Sequence, residues 1–209
     1  KLVSNAMLAQ RISSMNSISA LCEKTHANIE EVSKAVGMDS RIGPDFLKSS
    51  IGFGGSCFKK DILNLVYIAR QYGLNEVANY WENVTKINSY QTFRFGEKII
   101  DELKSNKEDQ IITVLGWAFK KNTNDSRESA SIYITNQLLD QEFKIKIYDP
   151  MVSKTRILED IKFQLENSGK SNKEIKKLVL RITIYKNAYL ALKNANLVAI
   201  CTEWDEFKN

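Results

Sequence analysis

The sequence predicts an all-helical domain followed by a parallel α/β domain, and three observations predict it. Through Leu103, apolar side chains recur at helical spacing. After a polar stretch, Lys104-Ser105-Asn106-Lys107-Glu108-Asp109, the pattern changes to short apolar or alternating runs. Those runs alternate with helical segments, as parallel strands joined by crossover helices do. The expected division is 1–107 for the helical domain with its long connecting helix, and 108–209 for the α/β domain.

From Leu2 to Cys22, the residues Leu2, Ala6, Ala9, Ile12, Met15, Ile18 and Leu21 mark the first helix. Asn28-Ile29-Glu30-Glu31 has the form of a capping box and opens a short helix that Gly37 should close. Gly43 to Ser56 is rich in Gly and Ser and reads as a loop. Cys57 to Tyr72 is helical again, with Phe58, Ile62, Leu65, Val66 and Ala69 on one side and Gly73 as terminator. Val77 to Leu103 is one long helical stretch in which Gly96 is expected to bend or loosen the backbone. Its aromatic residues Tyr80, Trp81, Tyr90, Phe93 and Phe95 are expected to serve core and subunit interface. Ile111 to Leu115, ending in Gly116, fits a buried strand, and Ser129 to Leu139 a helix. Lys144 to Pro150 alternates as a strand does, and Leu180 to Tyr185 and Leu197 to Cys201 supply two more.

A chain of 209 residues is long enough to bury a real core in one large or two small domains. Its 43% hydrophobic and 26% charged content is that of a soluble globular protein. The formal charge of +5 comes from Lys and Glu interspersed along the chain, with no basic stripe of the kind nucleic acid needs. It points only weakly to small anionic ligands. No apolar run approaches ~18 residues, so no membrane span is expected. The three cysteines, Cys22, Cys57 and Cys201, are odd in number and lack metal-ligand spacing, which argues for a reducing compartment. His26, the single histidine, stands in a polar setting, and a histidine-based metal centre or triad lacks partners. Lys1 opens what reads as an amphipathic helix, so no signal peptide is expected. The residues from Trp204 to Asn209 read as entering another helix, so the sequence is expected to be cut at both ends.

The most informative segment runs from Phe46 to Asp61. Gly52, Gly54 and Gly55 free the backbone to approach a ligand, and Ser56 is placed to cap the helix that Cys57 begins. A thiol at a helix N-terminus meets unpaired N–H groups and the positive end of the helix dipole, which favour a nucleophilic sulfur. Asp61 is four residues on, on the same helical face, where a carboxylate can activate water against whatever is bonded to sulfur. A lone cysteine in a helical domain is ordinarily a small buried hydrophobe. The glycines, the cap and the i+4 carboxylate together reverse that reading for Cys57, while Cys22 and Cys201 remain packing residues.

The run Gly52-Phe53-Gly54-Gly55-Ser56-Cys57-Phe58-Lys59-Lys60-Asp61 resembles the catalytic-cysteine motif of the UDP-glucose/GDP-mannose dehydrogenase family. Lys1-Leu2-Val3-Ser4-Asn5-Ala6 is similar to the family's K-L-x-x-N-A helix. The segments from Gln10 to Glu23, Gly37-Met38-Asp39 and Arg41-Ile42-Gly43 resemble its animal, UDP-glucose-oxidising members. So do Gly116 to Lys121, Arg127-Glu128-Ser129, Ile147 to Pro150 and Ile200 to Asp205. The likeness covers nearly the whole chain and is weakest between Val152 and Arg181.

The resemblance implies a helical central dimerisation domain followed by a truncated, Rossmann-like UDP-binding domain. The family's NAD-binding Rossmann domain would precede Lys1. The implied reaction is a four-electron oxidation of UDP-glucose to UDP-glucuronate with two NAD, through a thiohemiacetal and a thioester on Cys57. Lys1 and Asn5 match the catalytic lysine and asparagine, and Asp61 matches the carboxylate that activates water. Arg41 matches an arginine that reaches a neighbouring subunit's substrate, which implies a dimer or a dimer-based assembly. Lys48, Ser49, Ser50, Ile51, Gly52, Phe53 and Gly54 match the loop that wraps the UDP-sugar. Its N–H groups and Lys48 suit a pyrophosphate. Phe119 and Lys120 match a substrate-contacting pair. Cys57, Phe58, Lys59 and Lys60 would face the nicotinamide, and Arg127 lies on the NAD side. Family members work in the cytosol.

The sequence departs from the family in having no G-x-G-x-x-G, the loop that would cradle NAD. Lys59 stands where glutamine is common, Ser50 where alanine is common, and the Asn122-Thr123-Asn124-Asp125 loop differs as well. The chain by itself is therefore expected not to turn over. Two other readings remain at this point: a non-catalytic dimerisation or regulatory short form, and a sister dehydrogenase acting on GDP-mannose or a UDP-N-acetylhexosamine.

Overall fold

A computed structural model describes residues 1–103 and 110–208 of the chain. The polar linker expected at 104–109, and with it the expected boundary at 107/108, lies outside the described residues. The chain divides into two units, Lys1–Thr92 and Phe93–Asn209.

The first unit is helical, as expected. It holds α1 (Leu2–Thr25), α2 (Ile29–Gly37), α3 (Phe58–Gln71) and most of α4 (Asn75–Glu102), whose last turns belong to the second unit. α1 packs on α3 through Ala6, Ala9, Ile62, Val66 and Ala69, with Ala78 and Val84 of α4 closing the cluster. Two alanines on α1 let the helix backbones approach closely, and the branched residues of α3 fill the space between them. The apolar face expected for α3 is the face it buries: Phe58 and Leu65 also pack there, partly exposed.

α1 buries Ala6, Ala9 and Met15 of its apolar series, but its buried stripe then departs from that series. Ser13, Asn16 and Ser19 are buried beside Met15 and Cys22, while Ile18 and Leu21 lie exposed. Positions three apart fall behind a 3.6-residue turn by about 60° at each step, so a strict period of three drifts off the buried face. Asn28 caps α2 by accepting the Glu30 N–H at 2.8 Å, a bond to N2 and not the N3 bond of the expected box. Gly37 is the last residue of α2 but works as a packing glycine, because a Cβ there would lie 3.0 Å from Pro44 Cα. α4 runs through Gly96 without interruption. That glycine lies against Gln137 in the second unit, where a Cβ would come within 2.0 Å of Gln137 Oε1.

The second unit is a four-stranded parallel sheet in the order β3-β2-β1-β4. Its strands are β1 (Ile111–Leu115), β2 (Lys144–Tyr148), β3 (Ile182–Ile184) and β4 (Leu197–Ile200). Register is set by pairs such as Val114 with Ile147 and Val114 with Ala199. α5 (Ala130–Asp140), α6 (Lys154–Asn167), α7 (Asn172–Val179) and α8 (Ala188–Leu192) link the strands. Ile112, Ile134, Leu138, Leu139, Ile145, Ile147, Ile157 and Leu165 form its dry interior. The third strand is shorter than expected, since Leu180 caps α7 and is 86% exposed. The expected final helix is a 3-10 turn, Asp205–Lys208. The strand order matches the first half of a doubly wound sheet, and it reverses direction between β1 and β4. No helix among the described residues is long and apolar enough to cross a membrane.

Candidate active site

Cys57 stands at the N-cap position of α3, with its own backbone already helical and its side chain exposed. Its carbonyl accepts the Asp61 N–H at 2.9 Å, which closes the first turn and puts the two side chains on one face. Ser56 does not cap the helix, contrary to expectation. α3 has no side-chain cap bond, and the Ser56 hydroxyl lies 3.9 Å from the Cys57 sulfur instead. A residue immediately before the N-cap is one position too early to reach the N2 or N3 amide.

The α1–α3 packing brings the two ends of the expected constellation together. Asn5 Nδ2 donates to Asp61 Oδ2 at 2.6 Å across 56 residues of sequence. Asp61 is only 13% exposed in its side chain, and Lys60 Nζ lies 3.9 Å from its other oxygen. Lys1 is exposed at the N-cap of α1, and its carbonyl accepts the Asn5 N–H at 3.0 Å. Lys59 follows Phe58 in the first turn of α3 and is half-buried.

The loop from Gly43 to Ser56 is a loop, and helix side chains hold much of it. Arg11 donates to the carbonyls of Ile42 and Gly43 at 2.8 and 2.7 Å. The Ser33 hydroxyl donates to Leu47 O, Asn16 Oδ1 accepts the Ser50 N–H and Gln91 donates to Ser50 O. Thr92 donates to Ile51 O at 2.8 Å. Asn88 accepts the Phe53 N–H at 2.8 Å and donates to Phe53 O at 3.0 Å. The N–H of Gly52 is bonded to the Ser50 hydroxyl. This revises the expectation that the loop's N–H groups serve a pyrophosphate: those of Ser50, Gly52 and Phe53 are already engaged inside the chain. Gly52 has φ 118°, and a Cβ there would lie 2.5 Å from Thr92 Oγ1, so its glycine serves contact with α4. Lys48 and Ser49 precede the clamped residues, with Lys48 exposed, and Gly54 follows them.

Arg41 and Arg127 sit in two copies of one device, Asp39-Ser40-Arg41 and Asp125-Ser126-Arg127. In each, the aspartate accepts the arginine backbone N–H at 3.0 Å and then pairs with Nε and Nη2 of the guanidinium. Hydrogen bonding from the arginine holds Asp39 and Asp125 below the usual carboxylate range. Arg41 belongs to the first unit and Arg127 to the second, both exposed.

In the second unit, Phe119 and Lys120 follow β1, beside the strand-order reversal where ligands of such sheets bind. Lys120 Nζ lies 5.5 Å from the Phe119 ring centre. Sequence reading missed what holds this corner. The buried carboxylate of Asp149, at the end of β2, accepts the N–H groups of Trp117, Ala118, Met151 and Val152 and the indole of Trp204. Asp160 of α6 accepts the Trp117 indole at 3.0 Å and the Ser126 hydroxyl at 2.5 Å, and pairs with Arg156 at 2.8 Å. A carboxylate directly after the alternating strand β2, just before Pro150, was the available signal for the first of these; nothing local marked the second.

The same geometry tests the fit of a dinucleotide. In sheets that bind NAD, an acid near the end of the second strand takes the ribose hydroxyls. Here that carboxylate is spent on five internal donors, and Gly116 alone follows β1, so the described sheet does not fit the adenosine half of NAD.

Comparison with known proteins places these features in a family. The central-domain profile of the UDP-glucose/GDP-mannose dehydrogenase family matches residues 1–90, and its UDP-binding-domain profile matches 113–209. UDP-glucose 6-dehydrogenase of Bos taurus is 52% identical over 208 residues, covering 100% of this chain and 41% of the bovine protein. UDP-glucose 6-dehydrogenase 2 of Arabidopsis thaliana is 50% identical over 212 residues, with 100% of this chain and 44% of the plant protein covered. The solved structure of a UDP-glucose dehydrogenase from Pyrobaculum islandicum superposes with TM-score 0.81 at 28% identity, covering 100% of this chain and 44% of that one. The chain thus spans about two-fifths of the length of the curated relatives it matches. With both of its units matched by consecutive domains of one family, the chain belongs to the UDP-glucose/GDP-mannose dehydrogenases.

Proposed function

We propose that this chain supplies the nucleotide-sugar residues and the covalent and hydrolytic machinery for the NAD-dependent oxidation of UDP-glucose to UDP-glucuronate. The observation that carries this reading is the bond between Asn5 and Asp61 at the end of α3 where Cys57 lies exposed. Asn5 and Asp61, assigned to catalysis by family likeness, are bonded one helical turn from Cys57, and Lys1 heads the same helix as Asn5.

The chemistry follows from the groups. Cys57 Sγ adds to the C6 aldehyde, forming a C–S bond, and its proton ends on the carbonyl oxygen. Lys1 and Asn5, one helical turn apart, are suited to stabilise that oxygen while it carries charge. The two oxidations draw on two NAD as hydride acceptors, and no step at the dinucleotide is assigned to the described residues. Once the adduct is a thioester, water adds to its carbonyl, the C–S bond breaks, and sulfur leaves with a proton returned to it. Asp61 is the base for that water. Asn5 engages Oδ2, so the proton goes to Oδ1, from which Lys60 Nζ stands 3.9 Å away, beyond hydrogen-bond distance.

Arg41, Lys48 to Gly54, Phe119 and Lys120 are assigned to the sugar nucleotide, and Lys59, Lys60 and Arg127 to the cofactor side. Exposed Leu63 and Tyr67 on α3, Tyr72 at its C-cap, and Tyr80, Tyr90 and Phe93 on α4 support pairing with a second copy. Three free cysteines support a reducing, cytosolic setting.

Alkylation of Cys57 by iodoacetamide tests the reading. UDP-glucose at ten times its Kd is expected to slow the reaction roughly tenfold, GDP-mannose to leave it unchanged, and NAD with UDP-glucose to give no sustained reduced cofactor. Equal alkylation rates with and without UDP-glucose would overturn it.

A further inference from the structure

Among the side chains that hold the loop, Asn88 binds one residue by both of its backbone groups. A carboxamide offers one acceptor and one donor side by side, as a neighbouring β-strand does. Phe53 is thereby bonded as if it lay in a sheet ladder, although it lies in a loop. Gln91 and Thr92, three and four residues further along α4, fall on the same helical face and take the carbonyls of Ser50 and Ile51. Gly52 lies close enough to Thr92 that only glycine fits there. A shift of the loop by one residue would break all of these contacts together.

Phe53 is also joined to the reactive end of α3. Its ring meets Phe58 edge to face, with centroids 5.6 Å apart at 84°. Phe58 is the first residue of α3 and the neighbour of Cys57. We infer that Asn88 is a positioning residue: it fixes the register of the 50–54 loop before any ligand arrives and, through Phe53 and Phe58, sets where the Cys57 sulfur stands. The loop therefore meets its ligand as a preformed wall. It presents side chains, while the N–H groups of Ser50, Gly52 and Phe53 stay turned to their own clamps.

This rests on the proposed role of Cys57 for its importance, but its test uses neither nucleotide sugar nor NAD. A chain that failed to bind UDP-glucose would leave the clamp standing. Amide exchange on the ligand-free chain should show Ser50 and Phe53 protected. Asn88→Leu removes both bonds and should speed exchange at Phe53 roughly tenfold. It should also change the rate of Cys57 alkylation by about twofold or more, with Ile62 and Val84 exchanging at native rates. Asn88→Asp keeps the acceptor and loses the donor. It should retain protection at Phe53 while moving Cys57 reactivity part of the way, and it decides the matter if the leucine variant does not fold. A residue that only stabilised the fold would speed all of these amides together. That result, an unprotected Phe53 in the native chain, or an unmoved Cys57 rate in the folded variants would each overturn the inference.

Discussion

The bond between Asn5 and Asp61 works because an amide donates to a carboxylate, and this gives Asn5→Asp an unusual expected signature. Two carboxyl groups at that distance cannot both ionise, so one keeps its proton well above the ordinary range. A carboxyl raised in the folded state binds more protons there than in the unfolded chain. Its stabilisation is greatest below about pH 4 and is lost as pH rises towards the raised value. Asn5→Asp should therefore lose more stability at pH 8 than at pH 4 in urea unfolding. Asn5→Ala should cost about 1 kcal/mol with little dependence on pH above that of the native chain. Equal losses for the aspartate variant at both pH values would show that the two side chains do not meet. At this scale the sequence pointed to Cys57 and Asp61 through their one-turn spacing, whereas Lys1 and Asn5 were singled out only by the likeness to the family. Asp149 was passed over as the end of a strand because two of its donors, Trp117 and Trp204, are 32 and 55 residues away.

Helices and strands were legible where burial is one-sided and periodic, as on α3, whose five expected core residues all pack inward. They were less legible where small or polar residues do the packing. α1 buries Ser13, Asn16 and Ser19, and Ser13 donates to Val84 O on α4 at 2.9 Å, a contact that no apolar pattern announces. α6 and α7 carry few apolar residues, yet Ser171 and Glu174 form a full capping box of the kind sought at Asn28. Glycine is the residue whose purpose sequence alone reads worst, because neighbours decide it. Gly116 ends β1 at φ 92°, where a Cβ would lie 2.4 Å from Thr202 Cβ and 2.6 Å from its backbone nitrogen. Neither atom can give way without moving β4, so Gly116→Ala should destabilise the second unit by at least about 3 kcal/mol. Gly96→Ala meets only the tip of Gln137, and its gain in helix propensity of about 1 kcal/mol offsets the displaced bond to Glu97. Its unfolding midpoint should stay close to the native one. A reversal of this order in urea denaturation would mean that the β1–β4 corner is looser than described.

The two units differ in what alkali does to them. The second contains three acidic protons that folding protects: burial pushes the Cys201 thiol up to about 12, burial and Glu206 push Tyr148 up to about 12, and burial with Glu128 raises Tyr133 further. In each case the folded state holds its proton at a pH where the unfolded chain has begun to lose it. The stabilisation is complete below the ordinary values of 9.0 for the thiol and 10.0 for the phenols, and is lost as pH climbs from there to about 12. No group of the first unit has a comparable upward shift in an acidic proton among those resolved; its resolved carboxylates, Asp39 and Glu82, are lowered by surface ion pairs and matter only in acid. The second unit should therefore lose its cooperative unfolding transition first as pH is raised from 8 to 11. Fluorescence can follow it, because Trp117 and Trp204 lie buried in the second unit and Trp81 belongs to the first, so a Trp81→Phe variant reports the second alone. Cys201→Val removes the earliest of the three protons to titrate in the unfolded chain, so its stability should decline less between pH 8 and pH 10 than that of the native chain. Parallel decline of both units, or identical alkaline profiles with and without Cys201, would show that these half-buried groups do not govern alkaline stability.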